Sequence, residues 1–396
     1  MKILLKTILA ILLAYGSFAY VYTPISIYYK SEKKVNHEFK TDYAFNKRGK
    51  DLIEVEQPMV YTSSTLEGVD FPEITLDLSE ALQKHKKLLS LRVQKSHQLV
   101  GNLNLSVCEL EEVIDALLDH DDPNNLHKEL EVFRVGGVQN SGEIKFTGYY
   151  TPLIDVCKKK TSKYKFPIYK KPYFFIGKLP TRQAIDRDNI LEGQDLVLAY
   201  AKDILDIYFM QLQGSGYVKY RDGSQEMFSY GGSNGHPYRS IGRYLKNNDY
   251  KISKISQKGI REFFQKNPAL LEEVLYENPS YTFFKPRQSP PKGAGHVPLT
   301  DGISVAVDRR YIPLGATLLA AIPSYNEDGK LNGHELKILL AQDVGGAIKG
   351  SGHIDIYNGI GDSAEKIASQ YYHHGKMWLL LPKYHGESTD RLVLAN

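Results

Sequence analysis

The sequence predicts a mainly β fold with flanking helices, and three observations support this class. Twenty-eight Tyr and 32 Gly among 396 residues indicate many strands and tight turns. From Val132 to Gln225, short apolar or aromatic runs alternate with Gly, Pro and Lys clusters, a texture typical of antiparallel β structure. A second group of strand-like runs follows Pro298. At 42% hydrophobic residues, the chain can form one large or two medium cores.

The N-terminal residues are predicted to direct export. Residues 1–22 combine a basic start, an uncharged run and the small residues Ser17 and Ala19, which are spaced for signal cleavage. The pattern favours a cleaved signal peptide, with an uncleaved anchor as the alternative. No cysteine lies directly after the apolar run, at the place where a lipid would be attached, so the protein is not a lipoprotein by sequence. We expect a periplasmic protein, with attachment to the inner or outer membrane left open, and a flexible basic linker over residues 23–57.

Helices are expected on both sides of the middle β region. Apolar residues recur at helical spacing from Ile74 to Val93, and Ser106 to Glu109 form a capping box ahead of a second helix. Helical periodicity returns between Tyr238 and Tyr276, and a Pro, Gly and Ser rich boundary follows. One more helix is expected between the last two of five C-terminal strands, which are predicted at Ile303–Asp308, Ala316–Ile322, Lys337–Asp343, His353–Tyr357 and Met377–Pro382.

Composition excludes several functional classes. Fifty Lys and Arg against 46 Asp and Glu give a net charge of +4, too balanced to indicate a nucleic-acid partner. Two cysteines, Cys108 and Cys157, exclude a disulfide scaffold and a four-thiolate zinc site, and the sequence does not decide whether they pair. His373 and His374 precede a helix-ending glycine without metal-ligand spacing. We expect no metal, no cofactor and, without a heptad run, a monomer.

Three aspartates lie in or at the end of apolar strand runs. They are Asp308, Asp343 and Asp355. In a strand, Ile354 and Ile356 point to one face and Asp355 to the other, so this carboxyl would stand on a polar face backed by core. Partial burial and a neighbouring carboxylate both raise a carboxyl pKa, which suits a general acid near neutral pH. For any one of them, the alternative is a carboxylate that pins a turn or a backbone amide.

Gly-, Tyr- and amide-rich segments could form a sugar-binding surface. Tyr rings stack on pyranoses, Gln and Asn bond hydroxyl and acetamido groups, and Gly lets a ligand approach the backbone. The alternative for each segment is an ordinary hairpin turn with Tyr in the adjoining core. The candidate contact residues are Thr147, Gly148, Tyr149, Tyr150, Gln211, Gln213, Gly214, Ser215, Asn234, Tyr238, Gly345, Gly346, Lys349 and Tyr357.

These motifs, taken in order, resemble the membrane-bound lytic murein transglycosylase A (MltA) family, with a C-terminal 3D domain named for three aspartates. The resemblance covers about residues 140 to 382. It rests on FTGYYTP (Phe146–Pro152), QLQGSGY (Gln211–Tyr217), GGSNGHPYRSIG (Gly231–Gly242), LTDGISVAVDRRYIPLGATLLA (Leu299–Ala320) and AQDVGGAIKGSGHIDIYNGIG (Ala341–Gly361).

The resemblance implies a fold and a domain organisation. The fold would be a double-psi β-barrel with a smaller inserted β domain and a groove between them. The implied parts are residues 58–140 as the N-terminal part of the barrel domain, 141–282 as the insert, and 283–396 as the 3D domain that completes the barrel.

The resemblance also implies an activity. The substrate would be peptidoglycan, cleaved between N-acetylmuramic acid and N-acetylglucosamine to give 1,6-anhydromuramic acid ends. Asp355, in HIDIY, matches the family's catalytic acid, with Asp343 and Asp308 as supporting residues. A non-catalytic peptidoglycan-binding protein and a water-using muramidase remain the alternatives.

Overall fold

The computed structural model describes residues 23–24, 60–65, 71–91, 98–119, 123–138, 141–175, 177–252 and 255–383. The predicted signal segment and almost all of the predicted linker lie outside the described residues. Within the described residues, no helix is both long enough and apolar enough to cross a bilayer.

Helices are interspersed among the strands along the chain. The N-terminal elements are β1 (Thr23–Pro24), β2 (Tyr61–Thr65), α1 (Leu76–Ser90), β3 (Gln98–Val100), β4 (Leu103–Leu105), α2 (Val107–Leu118), β5 (Leu130–Val135) and β6 (Ile144–Thr151). The middle elements are β7 (Leu153–Cys157), β8 (Phe166–Tyr169), α3 (Arg182–Asp186), β9 (Val197–Ala201), α4 (Ile204–Gln213), β10 (Gly216–Lys219), β11 (Gln225–Ser233), α5 (Ile241–Asn247), α6 (Gln257–Lys266), α7 (Leu271–Tyr276) and β12 (Thr282–Arg287). The C-terminal elements are β13 (Ser304–Ala306), β14 (Thr317–Tyr325), β15 (Leu331–Asp343), β16 (His353–Ile360), α8 (Gly361–Ala368) and β17 (His374–Pro382). Short 3-10 helices occupy Pro123–Lys128 and Pro268–Leu270.

The chain divides into two compact units. Unit 1 consists of the described residues within 1–148, 292–359 and 370–396, and unit 2 of those within 149–291 and 360–369. Helix α8, which was predicted as part of the C-terminal domain, groups with unit 2.

Unit 1 contains a closed six-strand barrel. The strands follow the order β17, β14, β15, β13, β16, β6, and β6 pairs with β17 to close the ring through His374↔Lys145 and Gly375↔Ile144. Strands β13 and β15 pair in parallel, whereas β14 pairs antiparallel with both β15 and β17. Closure joins the two ends of this six-strand ring, and β5, β2 and β1 extend the sheet outward from β17. The predicted mainly β fold with a barrel is confirmed.

Two helices cover the core of unit 1. Thr75 caps α1, whose buried face includes Leu82 and Leu89. The predicted capping box begins α2: the Ser106 hydroxyl accepts from the Glu109 amide, and the Glu109 carboxylate accepts from the Ser106 amide at 2.6 Å. These ends satisfy backbone donors that a helix start leaves free. The apolar residues of both helices join the main hydrophobic cluster with the barrel strands.

Unit 2 is built on a six-strand sheet in the order β12, β11, β10, β7, β9, β8, and a single bridge between Lys170 and Phe284 brings its edges together. The prediction of antiparallel β structure from Val132 to Gln225 was wrong in two respects. Strand β7 pairs with β10 in parallel, and the helices α3 and α4 interrupt the region. The Asp203 side chain caps α4, and Gly214 ends it at φ 79°. The N-terminal cap and the C-terminal glycine favour a helix here, and they outweigh the β propensity of the aromatic and branched residues between them.

Gly375 lies where the barrel closes, and a side chain does not fit there. A Cβ at this position would approach the Ala321 carbonyl oxygen to 2.1 Å, whereas a Cβ at Gly346 would meet open space. Gly375→Ala should therefore lower the free energy of unfolding by about 2 kcal/mol, because backbone must move to admit the methyl group. Urea unfolding followed by circular dichroism measures this loss. Gly346→Ala is the control and should change stability by less than about 0.5 kcal/mol; equal effects of the two substitutions would contradict the account.

Candidate active site

Asp355 is the third residue of β16, on the wall of the barrel. It lies between Ile354 and Ile356, which are fully buried in the core of unit 1, and it pairs across the strands with Ala306 of β13. The carboxyl itself is partly buried. The alternation predicted from the sequence is therefore confirmed for Ile354 and Ile356, which face the core. Asp355 lies on the other face of the strand, where its side chain keeps little contact with water.

A short hydrogen-bond chain ends on the Asp355 carboxyl. The Thr147 hydroxyl on β6 donates to Asp355 Oδ1 at 2.7 Å. His353 Nε2 lies 2.9 Å from the same hydroxyl oxygen. A weaker contact joins this hydroxyl to the Ile354 carbonyl at 3.4 Å. Thr147 thus links the ring of His353 to the carboxyl two residues further along β16.

The environment of Asp355 leaves a substantial fraction of its carboxyl protonated near neutral pH. Burial raises the pKa of Asp355 from 3.8 to about 7, because an ion in a poorly hydrated site loses solvation. This value also includes the smaller opposing effects of the neighbours: the Thr147 hydrogen bond lowers the pKa, the negative charge of Asp343 raises it, and the positive charge of Lys145 lowers it. A carboxyl with a pKa near the working pH can both donate and recover a proton.

The environment of Asp308 lowers the pKa of its carboxyl, whereas that of Asp355 raises it. It is 7% exposed, and its carboxylate accepts from Arg310 Nε at 2.9 Å and from the Gly350 amide at 2.9 Å. Burial alone would raise the pKa of Asp308, but the hydrogen bonds and the charge of Arg310 outweigh it and lower the pKa. Asp308 is therefore an ionised carboxylate that ties the segment after β13 to the glycine-rich loop before β16.

Asp343 ends β15 and also binds backbone amides. Its Oδ1 accepts from the Ala294 and Val344 amides, each at 2.8 Å. The chain at Gly293 passes so close that a Cβ there would lie 2.4 Å from the Gln342 carbonyl oxygen. Asp343 thus fixes the segment around residue 294 against the end of β15, and its charge acts on Asp355 from that position.

The predicted contact residues of unit 1 divide into open and buried positions. Gly346 is exposed, Gly345 and Lys349 are half-buried, and Thr147 and Gly148 are half-buried on β6. Tyr357 is 2% exposed, so its ring is part of the interior.

In unit 2, several predicted contact side chains already bind the protein itself. The Gln211 amide oxygen accepts from Arg182 at 2.6 Å in the interior. The Asn234 amide donates to the Pro180 and Pro279 carbonyls, each at 2.9 Å. These contacts are typical of side chains that shape a loop.

Two other predicted residues of unit 2 are linked to each other. The Tyr150 amide donates to Gln213 at 3.2 Å, and the Tyr150 hydroxyl donates to Gln257 at 3.1 Å. The remaining candidates, Tyr149, Gly214, Ser215 and Tyr238, are half-buried or exposed.

Two polar residues were missed by the sequence analysis. His353 lies on the same face of β16 as Asp355, and its position two residues before Asp355 is the sequence signal that could have identified it. Arg182 is 1% exposed and stacks on the Tyr208 and Tyr281 rings with centroid distances of 4.9 and 5.1 Å. No sequence feature pointed to Arg182: Asp186 pairs with it from the same short helix at 3.4 Å, but the tyrosine rings and Gln211 that enclose it come from distant segments.

Metal ligands do not cluster in the part of the chain that the structure describes. No group of three His, Cys, Asp or Glu side chains there could hold an ion. Both cysteines are unpaired.

Comparison with known families gives two matches. The family described as "MltA specific insert domain" matches residues 145–285, and the family described as "3D domain" matches residues 303–381. The two matched segments contain all three aspartates and all of the predicted contact residues.

Individual relatives agree with these matches. The membrane-bound lytic murein transglycosylase A of Vibrio cholerae is 35% identical over 321 residues, which are 78% of this chain and 86% of the relative. The protein of the same name from Escherichia coli K12 is 43% identical over 256 residues, 63% of this chain and 69% of the relative. The crystal structure of E. coli MltA with bound chitohexaose superposes with a TM-score of 0.71 at 35% identity, covering 82% of this chain and 95% of that one.

Asp308 should contribute to stability in a pH-dependent way. Its folded pKa is lowered, so its contribution is complete above the unfolded pKa of about 3.9 and is lost as pH falls through the folded value. Asp308→Asn should lower the free energy of unfolding by about 2 kcal/mol at pH 7, and the deficit should shrink at pH 3.

Urea unfolding at both pH values checks this expectation. Asp188→Asn is the control, because Asp188 pairs with Arg187 at the surface and should contribute less than about 0.5 kcal/mol. A deficit for Asp308→Asn that is the same at pH 7 and pH 3 would refute the assignment.

Proposed function

This chain belongs to the membrane-bound lytic murein transglycosylase A family, and from that premise we propose that Asp355 is its single catalytic acid and base. The protein is a peptidoglycan lytic transglycosylase. It cleaves the β-1,4 bond between N-acetylmuramic acid and N-acetylglucosamine without water and forms 1,6-anhydromuramic acid ends. The observation that carries the assignment of Asp355 is its buried position on β16, which raises its pKa to about 7.

The reaction needs one proton that leaves the carboxyl and returns to it. Asp355 donates its proton to the bridging glycosidic oxygen as the bond from that oxygen to C1 of the muramic acid breaks. The 6-hydroxyl oxygen of the same sugar then bonds to C1, and the Asp355 carboxylate takes the hydroxyl proton. The atoms balance within the substrate, and the enzyme ends in its starting state.

One carboxyl is sufficient because the substrate supplies the nucleophile. Glycosidases that use water or an enzyme nucleophile need a second carboxyl for that step. The other two aspartates of the 3D domain are poorly suited to it, since their oxygens accept from backbone amides or Arg310. We assign Asp308 to holding the glycine-rich loop and Asp343 to holding the segment around residue 294 and to raising the pKa of Asp355.

Glycan contacts are proposed for the accessible candidates. In unit 1 these are Gly345, Gly346 and Lys349, and the backbone at Gly346 has open space beside it for a sugar. In unit 2, Tyr149 and Tyr238 suit stacking on a pyranose ring. For Gln211, Asn234, Tyr150 and Gln213 we propose an indirect part, because their amides and hydroxyls hold the segments on which those tyrosines lie.

The relatives are named membrane-bound, which supports an envelope-associated protein. We propose that it acts in the periplasm, where peptidoglycan lies, and that its N-terminal residues account for membrane association. E. coli MltA has been crystallised with chitohexaose, a β-1,4 glycan, and this supports glycan strands as the ligand of this chain.

Asp355→Asn should abolish the release of anhydromuropeptides from purified sacculi. An amide cannot supply the proton, and proton transfer of this kind is worth about a hundredfold to ten-thousandfold in rate. Mass spectrometry of the soluble products measures the loss, and Asp328→Asn, in the exposed turn between β14 and β15, is the control.

Continued release of anhydro products by Asp355→Asn would overturn the assignment. Wild-type products heavier by one water would indicate a muramidase. Binding of sacculi by the wild type without any release would indicate a binding protein.

A further inference from the structure

His353, Thr147 and Asp355 form a hydrogen-bonded chain, and proton donation by Asp355 does not in itself require the histidine. His353 is 8% exposed, and Nε2 is 2.9 Å from Thr147 Oγ1. Its other ring nitrogen, Nδ1, is buried and has no hydrogen-bond partner among the described residues. A buried histidine with one satisfied nitrogen, directed at the hydroxyl that holds a catalytic carboxyl, is a candidate positioning residue.

The ring of His353 is neutral throughout the working pH range. Its pKa is lowered from 6.5 to about 3, chiefly by burial and to a smaller extent by the positive charge of Lys145 and by the neighbouring His374. A neutral imidazole carries one N–H group and one bare nitrogen. A buried N–H without an acceptor is more costly and rarer than a buried acceptor without a donor. The hydrogen therefore resides on Nε2, where the Thr147 oxygen can accept it.

This tautomer fixes the direction of the Thr147 hydroxyl. A hydroxyl has a single hydrogen to donate. With His353 Nε2–H donating to Oγ1, that hydrogen is free for Asp355 Oδ1 at 2.7 Å, which is much closer than the Ile354 carbonyl at 3.4 Å. Oδ1 is then always an acceptor, and the proton of the neutral carboxyl must reside on Oδ2.

We propose that His353 is a positioning residue whose Nε2–H tautomer, acting through Thr147, confines the catalytic proton to Oδ2 of Asp355. This inference rests on the proposed function of Asp355. The donors point the same way whether the carboxyl is neutral or ionised, so no hydroxyl has to rotate when the proton leaves or returns. Such preorganisation avoids reorganisation at the moment of reaction.

The charged groups around the carboxyl set the pH at which this chain operates. Lys145 acts from β6 and lowers the pKa of Asp355, and Asp343 acts from the end of β15 and raises it. On β17, His374 has its pKa lowered to about 4 by burial, so it is neutral at pH 7. The Thr147 hydrogen bond favours the ionised carboxyl, and the His353 donor strengthens it by polarising the hydroxyl.

The test is the pH dependence of anhydromuropeptide release by the full chain. The rate should fall as pH rises through the Asp355 pKa. Thr147→Val should move this alkaline limb upward by about one pH unit, because the ionised form loses a hydrogen bond. His353→Leu should move it upward by about half a unit and lower the plateau rate about tenfold, since the hydroxyl can turn away.

Two conservative variants separate positioning from packing. His353→Gln keeps an N–H donor near the Thr147 oxygen and should restore most of the wild-type profile, as should Thr147→Ser. His85→Leu removes another buried histidine of unit 1, whose Nδ1 contacts Gln342. This control should lose stability without moving the alkaline limb.

Nitrogen-15 NMR of the labelled wild-type protein reads the tautomer of His353 directly, even if a variant fails to fold. An Nε2–H tautomer supports the proposal. An Nδ1–H tautomer, or an alkaline limb that His353→Leu leaves in place, overturns it. If Asp355→Asn is inactive in the same assay, such a negative result overturns only the role of His353. If Asp355→Asn is active, the proposed catalytic role of Asp355 is itself wrong.

Discussion

The desolvation of one carboxyl is the constraint on which the site depends. Asp355 lies on a strand whose flanking residues, Ile354 and Ile356, are completely buried, so its backbone cannot move outward to hydrate the side chain without opening the core. The barrel is what makes this possible, because its closure between β6 and β17 leaves no edge at which β16 could separate. The pairing of β6 with β16 brings Thr147 within 2.7 Å of the carboxyl. Packing that stabilises the fold therefore also sets the acidity of the proposed catalytic carboxyl.

Three aspartates of one domain acquire different functions from their surroundings. Asp308 and Asp343 accept from backbone amides, and such bonds hold loops in place and favour the charged form. Asp355 accepts from a hydroxyl that is itself held by a neutral histidine, which is a weaker bias toward ionisation. Burial then dominates, and the pKa rises to about 7. The sequence left open that each aspartate only pins a turn or a backbone amide. This interpretation describes Asp308 and Asp343. The proposed chemistry requires that Asp355 be free of such bonds.

Sequence patterns were sufficient where the information is local. Alternation around Asp355, the capping box at Ser106 and the helical spacing before Val93 each depend on a few consecutive residues, and the structure has a strand and two helices there. Barrel closure depends on Ile144 meeting Gly375 across most of the chain, which only the family resemblance implied. Helix α4 was missed because its branched and aromatic residues favour strands when considered alone. Gln211 was taken for a surface residue because nothing near it in sequence shows that Arg182 is its buried partner. His353 was missed as a site residue because its link to Asp355 through Thr147 requires the pairing of two distant strands.

The protonation state of Asp355 in the free enzyme is the most direct measure of this account. Carbon-13 labelling of the aspartate carboxyls, with the Asp355 signal assigned through its absence in Asp355→Asn, allows its titration to be followed by NMR. The account predicts a midpoint near pH 7, well above that of Asp308, whose pKa is lowered. A midpoint near pH 4, the value of an ordinary exposed aspartate, would mean that the carboxyl is ionised at neutral pH and cannot donate the proton that the reaction requires.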